Sequence, residues 1–276
     1  MPKVSVSDAE LFYERHGARG DPAVLVHGSW VDHHSWDAVA APFGRSLEVL
    51  VYDRRGHGES SGALRRRPVR DDAADLAALL EAIDLYPVHV VAHSYGGAVA
   101  FRLAADRPEM VRSLVLHEPS FVDLLGDDPA TAVEAERLTS GIRRIQALVR
   151  AGELEEAARE FVEGFASGEG SWERLRPDLR AGLVRHALRW CEEFDDPEAT
   201  SPSRDALGDL LVPVLLTSGQ LSPPFLRRIN EALSGRLRNV TLRVLPDVGH
   251  VPHVTRPFQY VGLVTDFLLE RNVPPA

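Results

Sequence analysis

The chain has one cysteine, Cys191, so no disulfide can form within it. It has no apolar run of about 18 residues or more, which argues against a membrane-spanning helix. Residues 1–6 lack the apolar stretch of a signal peptide. No cysteine and histidine residues have the spacing of a zinc site, so we expect neither a metal nor a cofactor. Together these absences predict a cytoplasmic protein with no membrane partner.

Positive charge is also scarce. The chain carries 31 Lys and Arg against 41 Asp and Glu, a net charge of −10, which argues against nucleic acid as a partner. The arginine cluster at residues 65–67 is interpreted as a solvated loop. What the chain does have is 44% hydrophobic residues, enough for the core of one large domain, or of a domain with an insertion. Nothing in the composition argues for or against a homo-oligomer.

Short β-rich runs alternate with helical runs along most of the chain, which predicts a mostly parallel sheet with helices on both faces. We expect eight strands, near residues 3–8, 10–16, 22–27, 46–52, 87–92, 111–117, 212–218 and 239–245. We expect helices near residues 34–42, 70–84, 95–106, 224–234 and 257–270.

Residues 120–205 interrupt this alternation with amphipathic helical segments and no convincing strand. Ligands bind at the carboxyl ends of the strands in open α/β sheets, and an inserted helical segment is best explained as a lid over that edge. We therefore expect a core of residues 1–119 and 206–276 with a lid domain of residues 120–205. Aromatic residues that could form the pocket roof, or pack the lid helices together, are Phe121, Phe161, Phe165, Trp172, Trp190 and Phe194.

Ser94 stands between a strand-like run and a helical run, within the sequence Ala92-His93-Ser94-Tyr95-Gly96. A serine at a tight strand-to-helix turn flanked by small residues is typical of a nucleophile elbow. The turn is strained and its backbone passes close to neighbouring elements, so the flanking residues must be small. Ala92 stands where the usual pattern has glycine. The simpler alternative is that Ser94 only caps the helix.

Three further motifs accompany this elbow in a fixed order. They are Val26-His27-Gly28, the loop Tyr52-Asp53-Arg54-Arg55-Gly56-His57-Gly58-Glu59-Ser60, and Val248-Gly249-His250-Val251-Pro252. Together the four motifs resemble the successive signatures of α/β-hydrolases. The resemblance covers both ends of the chain and omits only the predicted lid. It implies the α/β-hydrolase fold and a serine nucleophile, and it gives the loop after Tyr52 a structural role.

A serine nucleophile needs a base within hydrogen-bonding distance. His250 follows the last strand and precedes the last helix, which is where the hydrolase order of serine, acid and histidine places the base. His253 is expected to line the pocket or face solvent, and His89 to be a packed or edge residue. His93 is adjacent to Ser94 but is expected to face away from it.

The loop after the third strand, His27-Gly28-Ser29-Trp30, resembles the first oxyanion loop of the family. Negative charge forms on the carbonyl oxygen during attack, so backbone donors must point at it. The resemblance implies the N–H groups of Ser29 and Tyr95 as these donors. Trp30 would then form a wall of the pocket.

The acid position departs from the family pattern, because Ser222 stands where an aspartate is usual. Glu118 follows the strand that comes directly after the elbow helix. In the strand order that the resemblance implies, this strand lies beside the nucleophile strand, about 4.8 Å away, so Glu118 is our preferred acid. Some haloalkane dehalogenases keep their acid there, and the His-Glu-x-Pro sequence resembles that of zearalenone lactonases. The alternative role for Glu118 is a lid-hinge residue paired with an arginine. Asp247, then Asp53 and Asp123, are the other candidate acids.

These residues predict a cofactor-free serine hydrolase that acts on a small, largely apolar ester or lactone through an acyl-enzyme. Ser94, His250 and Glu118 would form the triad, with Trp30, Trp190, Phe121 and Val251 contacting the substrate. C–C bond hydrolases, lyases and cofactor-free haloperoxidases on the same scaffold remain alternatives. So does a non-catalytic ligand receptor, which would bind a ligand saturably without turnover.

Overall fold

A single eight-stranded sheet forms the centre of the molecule in the computed structural model, which describes residues 2–63, 68–202 and 204–270. The strands are β1 (Lys3–Val6), β2 (Ala9–His16), β3 (Pro22–Val26), β4 (Glu48–Tyr52), β5 (Val88–His93), β6 (Val111–His117), β7 (Val214–Gly219) and β8 (Val240–Leu245). The arginine cluster at residues 65–67 lies outside the described residues.

The strand order is β1-β2-β4-β3-β5-β6-β7-β8. β1 and β2 form an antiparallel hairpin, β2 pairs antiparallel with β4, and every later neighbouring pair is parallel. Parallel strands in the middle of a sheet are buried on both faces, so they have continuous apolar sequences. All six residues of β5 and all six of β7 are buried accordingly. The predicted eight-stranded, mostly parallel sheet is confirmed.

Helices cover both faces of this sheet. They are α1 (Asp37–Phe43), α2 (Pro68–Ala82), α3 (Tyr95–Asp106), α4 (Ala132–Arg150), α5 (Leu154–Phe161), α6 (Ser171–Arg174), α7 (Pro177–Glu193), α8 (Arg204–Asp209), α9 (Pro224–Ser234), α10 (Pro252–Thr255) and α11 (Pro257–Glu270). One apolar core contains buried residues of α1 and α11, and a larger core on the other face contains those of α2, α3 and α9.

The segment between β6 and β7 contains α4 to α8 and has no strand among its described residues. A five-residue π-helical turn, Val162–Ala166, follows α5 directly. Buried residues of α4, α5 and α7 join the larger core, so these helices continue the packing of the sheet on one side. No helix in the described ranges combines the length and the apolar character needed to span a membrane.

Candidate active site

Ser94 occupies the sharp turn between β5 and α3, with φ of 52° and ψ of −123°. This positive φ is strained for a residue other than glycine. The close packing of the turn accounts for the small residues around it. A Cβ on Gly96 would lie 2.5 Å from the Val26 carbonyl oxygen, and one on Gly97 would lie 2.8 Å from Pro119 Cβ. The motif therefore predicted this turn for the right physical reason.

Glu118 lies beside this turn because β5 and β6 run in register. His93 is paired with His117, so the next residue of each strand, Ser94 and Glu118, meets at the same edge of the sheet. The Ser94 amide donates to the His117 carbonyl at 3.0 Å, and the Glu118 amide donates to the Thr217 carbonyl at 3.1 Å. These two hydrogen bonds connect the main chain at the ends of β5, β6 and β7.

The Glu118 carboxylate contacts the imidazole of His250. Its Oε2 lies 2.6 Å from Nδ1 of His250, and its Oε1 accepts a hydrogen bond from the Gly219 amide at 2.8 Å. Both side chains are buried. A carboxylate on Nδ1 fixes the ring orientation and leaves Nε2 as the nitrogen available to another group.

Glu118 remains ionised despite this burial. Removal from water raises the pKa of its carboxyl, but His117, His250 and the hydrogen bond between Glu118 and His250 outweigh this effect, and the pKa lies below its usual value. The hydroxyl of Ser222 contributes in the same direction. An ionised carboxylate is the form that can stabilise an imidazolium.

The other candidate acids lie elsewhere. Asp247 is exposed, on the turn before His250. Asp53 is buried in the loop after β4, where it accepts from the His33 amide at 2.7 Å and the Glu59 amide at 2.8 Å. Asp123 accepts a hydrogen bond from Thr200 at 2.8 Å. None of the three has a hydrogen bond to His250 among the described residues.

Three further histidines are buried behind or away from the site. The Nε2 of His93 lies 2.9 Å from the His250 carbonyl oxygen. His89 is packed inside the sheet, 2.8 Å from the Ser113 hydroxyl. The expectation for His253 is wrong, because it neither lines the cavity nor faces solvent. Its ring is 1% exposed and packs against Trp36 with centroids 4.4 Å apart.

The loop that was predicted to stabilise an oxyanion lies against the nucleophile. A Cβ on Gly28 would lie 3.2 Å from the Cβ of Ser94, so no side chain fits between them. The main-chain N–H groups of Ser29 and Tyr95 have no backbone acceptor in the described part of the chain. The Ser29 hydroxyl, in contrast, is engaged and donates to Glu193 at 2.5 Å.

A small, mainly apolar cavity of about 40 Å³ opens onto Ser94 and His250. Its other lining residues are Glu118, Ser120, Val122, Ile142, Phe161, Phe165, Trp190, Phe194, Phe225 and Leu226. The inserted segment supplies most of the apolar side chains, and α9 supplies the last two. Glu118 is the only ionised acid in the lining, and neither lysine nor arginine is present in it.

Only Trp190, of the four predicted wall residues, lines this cavity. Trp30 is one layer behind, stacked on Phe161 with centroids 5.0 Å apart. Phe121 packs edge-to-face on Phe101 at 5.7 Å and borders a different, smaller cavity. Val251 is half-buried and outside the lining. Trp30, Phe121 and Val251 therefore lie outside the lining of this cavity. Helical periodicity predicts which face of a helix is buried, but not whether that face lines the cavity or packs against other elements.

The π-helical turn after α5 shapes part of the cavity wall. Phe161 and Phe165 are stacked at its two ends, with centroids 6.2 Å apart and ring planes 8° apart. Gly141 of α4 makes room for this pair, because a Cβ there would lie 2.9 Å from Cζ of Phe165. π-turns inside helices occur often at functional sites.

A buried group of charges lies behind the oxyanion loop, and the sequence analysis did not identify it. Arg54 contacts Glu193 at 2.6 Å and Asp72 at 2.6 Å, and all three side chains are at most 1% exposed. Burial raises the pKa of Glu193, but Arg54 outweighs this and holds the pKa well below its usual value. Glu193 is the last residue of an amphipathic helix, where a charged residue is expected on the solvent-facing side. No signal in the sequence therefore indicated that Glu193 would be buried.

Within the ranges that the structure describes, two groups of side chains have the spacing to hold a metal ion. His117, Glu118 and His250 form one, and Asp32, His33 and Asp53 form the other, with ligand atoms within 4.8 Å of one another. In both groups an imidazole nitrogen already forms a hydrogen bond with the carboxylate, at 2.6 Å from Glu118 and 2.8 Å from Asp53.

Comparison with known proteins agrees with this geometry. A family model described as the alpha/beta hydrolase fold matches residues 21–257. The dihydrolipoyllysine-residue acetyltransferase component of the acetoin cleaving system of Pseudomonas putida is 36% identical over 63% of this chain, which spans about half (52%) of that relative. The pimeloyl-[acyl-carrier protein] methyl ester esterase of Neisseria meningitidis is 27% identical over 88% of this chain and 91% of its own length. A hydrolase structure from Pseudomonas aeruginosa PA01 is 27% identical, with a TM-score of 0.79 over 97% of both chains.

Proposed function

The chain belongs to the α/β-hydrolase family, and we propose that it is a cofactor-free serine hydrolase that cleaves a small, largely apolar ester or lactone. The observation that carries this proposal is the 2.6 Å contact between Glu118 and His250 at the edge of the sheet where Ser94 turns into α3. A nucleophile, a base and an ionised acid then occupy adjacent positions, as acyl transfer requires.

In the proposed reaction, Ser94 Oγ attacks the substrate carbonyl while Nε2 of His250 accepts the serine proton. The carbonyl oxygen becomes negative and accepts hydrogen bonds from the Ser29 and Tyr95 amides. The imidazolium then gives its proton to the leaving alkoxide, and an acyl-enzyme remains. Water attacks this ester with His250 again as the base, which releases the acid and restores Ser94.

Ser94 and His250 line the same cavity, and no direct hydrogen bond joins their side chains among the described contacts. Such bonds are often long in a free enzyme and tighten when substrate binds. Glu118 supports the step by holding the ring through Nδ1, so that Nε2 is the nitrogen presented to the serine.

The cavity favours a neutral acyl group. Its lining is mainly apolar, and the only ionised acid in it is already paired with His250. An anionic acyl chain would find no cation among these residues. The ester named for the Neisseria relative is a methyl ester of an acyl chain, which supports an ester substrate of this kind.

We also propose that residues 120–205 form a lid. Four aromatic side chains of this segment face the cavity above Ser94: Phe161, Phe165, Trp190 and Phe194. The cavity of about 40 Å³ has room for one or two water molecules, since each takes about 30 Å³ in the liquid, whereas small-molecule sites measure about 300 Å³ or more. Substrate entry therefore requires these side chains to move.

The test is a substrate panel on the purified chain. We expect turnover of uncharged p-nitrophenyl esters or of lactones, with Ser94→Ala folded but slower by about 10⁴- to 10⁶-fold. A fluorophosphonate should add once, at Ser94, as located by peptide mass spectrometry. Turnover confined to C–C substrates would overturn the ester assignment. Ligand binding without turnover or labelling would overturn the hydrolase itself.

A further inference from the structure

The oxyanion loop is tied to the inserted helical segment by a part-buried hydrogen bond. The Ser29 hydroxyl donates to Oε2 of Glu193 at 2.5 Å. Glu193 is the last residue of α7 and is fully buried. A carboxylate 164 positions away in the chain therefore holds the residue whose amide we assign to the oxyanion hole.

Glu193 also positions the arginine that holds the other end of the same peptide unit. Its Oε1 lies 2.6 Å from a terminal nitrogen of Arg54, and that nitrogen donates to the Gly28 carbonyl oxygen at 3.0 Å. A trans peptide is planar, with its C=O and N–H pointing in opposite directions. Holding the Gly28 oxygen against Arg54 thus directs the Ser29 N–H to the opposite side.

The same guanidinium contacts the second proposed donor residue. The central carbon of Arg54 lies 4.6 Å from the centre of the Tyr95 ring, in a cation–π arrangement. Asp72 holds the other side of the guanidinium at 2.6 Å. One buried ion pair, between Arg54 and Glu193, therefore contacts residues on both sides of the oxyanion hole.

Glu193 is not placed to transfer a proton. Its carboxyl is ionised because Arg54 outweighs the effect of burial on its pKa, and it is absent from the lining of the cavity. Simple stabilisation of the fold by this ion pair would predict lower stability of a variant and an unchanged rate of reaction.

We propose that Glu193 is a positioning residue for the oxyanion hole, so that the Ser29 amide is aligned only while the end of α7 is docked on the core. This inference rests on the proposed serine hydrolase function. It makes the position of the inserted segment a condition for transition-state stabilisation, in addition to any role in covering the cavity.

The test measures the second-order rate constant of phosphonylation by a fluorophosphonate, together with the melting temperature. In this reaction Ser94 Oγ bonds to phosphorus, fluoride leaves, and the serine proton passes to His250. The phosphoryl oxygen becomes more negative in the transition state, so the rate reports on the oxyanion donors. Steady-state kcat and KM for one ester are measured on the same proteins.

Ser29→Ala and Glu193→Gln should each slow phosphonylation by about ten- to a hundredfold, less than the 10²- to 10³-fold cost of deleting a donor outright. For the ester, kcat should fall and KM should stay the same. Ser29→Thr keeps the hydroxyl and should restore most of the rate. The double variant should be no slower than Glu193→Gln alone, because both changes remove the same hydrogen bond between Ser29 and Glu193.

Asp75→Asn is the matched control, because Asp75 is a buried carboxylate paired with Arg55 in the same loop as Arg54, with contacts of 2.7 Å. It should lower the melting temperature and leave the rate unchanged. If Glu193→Gln does not fold, the rates of Ser29→Ala and Ser29→Thr test the positioning role without it. If the wild type is labelled and the folded variants react at unchanged rates, the positioning role is overturned but the proposed function is not. Wild type that is not labelled overturns the proposed function.

Discussion

Glu118 and His250 are joined by a 2.6 Å contact although the acid follows β6 and the histidine follows β8. Oε2 of the carboxylate makes this contact, and Oε1 accepts from the Gly219 amide at 2.8 Å. The strand that carries the acid is the neighbour of the strand that carries Ser94, whereas Ser222 occupies the loop after β7, where the family usually has its acid. In the proposed triad, the acid therefore lies one strand closer to Ser94 than the usual position would place it.

The first prediction concerns this acid. Glu118→Gln should lower kcat by about 10⁴-fold, because an amide favours the wrong imidazole tautomer and cannot stabilise the imidazolium. The matched control is Asp247→Asn, since Asp247 is exposed and has φ of 56°, a conformation that asparagine tolerates. Rates measured with the best ester of the panel should be near wild type for Asp247→Asn. The opposite ranking of the two variants would move the acid to Asp247.

The second prediction concerns Gly141 and the cavity wall. Gly141→Ala would place a Cβ 2.9 Å from Cζ of Phe165, so the ring must shift. The kcat/KM for the longest acyl chain that the wild type accepts should fall by about tenfold, with acetate esters unaffected. Gly164→Ala, in the π-turn that contains Phe165, is the control, because a Cβ there meets no atom within 4 Å. An unchanged chain-length profile in Gly141→Ala would show that Phe165 does not limit the substrate.

The third prediction is that no metal is required. His117, Glu118 and His250 could hold an ion, but Nδ1 of His250 already forms a 2.6 Å hydrogen bond with the Glu118 carboxylate. Dialysis against EDTA should leave the kcat of ester hydrolysis unchanged. Activity that is lost on dialysis and returns with zinc would contradict the proposed mechanism.

The fourth prediction is a loss of stability below neutral pH. Burial holds the pKa of several histidines below the usual 6.5, to about 4 for His89 and His117 and well below 6.5 for His27, His93 and His253. The unfolded chain therefore binds protons below about pH 6.5 that the folded chain does not. The stability that each histidine contributes is complete above that pH and falls by about 1.4 kcal/mol per pH unit as the pH drops toward 4.

Urea unfolding at about pH 7.5, 6.5 and 5.5 measures this slope. The free energy of unfolding should change little between about pH 7.5 and 6.5 and should fall between about pH 6.5 and 5.5, and His89→Gln should reduce that fall by the equivalent of about one proton. A free energy that stays constant down to about pH 5.5 would contradict the assignment of these histidines as neutral in the fold.

The fold could be predicted from local patterns because those patterns have local causes. The helix expected at residues 95–106 is α3 with the same bounds, and those at 224–234 and 257–270 match α9 and α11. The neighbouring positions of Ser94 and Glu118 followed from strand adjacency, a property of topology. These inferences needed no knowledge of how distant side chains pack.

The rest of the site depends on contacts between distant elements, which periodicity does not encode. Phe121 and Phe161 are both aromatic residues of the inserted segment, yet only Phe161 lines the cavity. Glu193 is a charged residue at a helix end, a position that usually faces solvent, and its contacts with Arg54, Ser29 and His57 keep it buried. His253 was misplaced for the same reason, because Trp36 covers it from another element.

The buried charges at the end of α7 also constrain protein engineering. Replacing the inserted segment with one from a relative would leave Arg54 buried without the carboxylate of Glu193, and would remove the partner of the Ser29 hydroxyl. Arg189 of the same helix lies 3.6 Å from Asp72. A chimera designed only to change the apolar wall should therefore join the chains before Arg189 and keep α7 from there to Glu193. Substrate range can then be exchanged through α4, α5 and the π-turn, while the part of the segment that contacts the catalytic core is inherited unchanged.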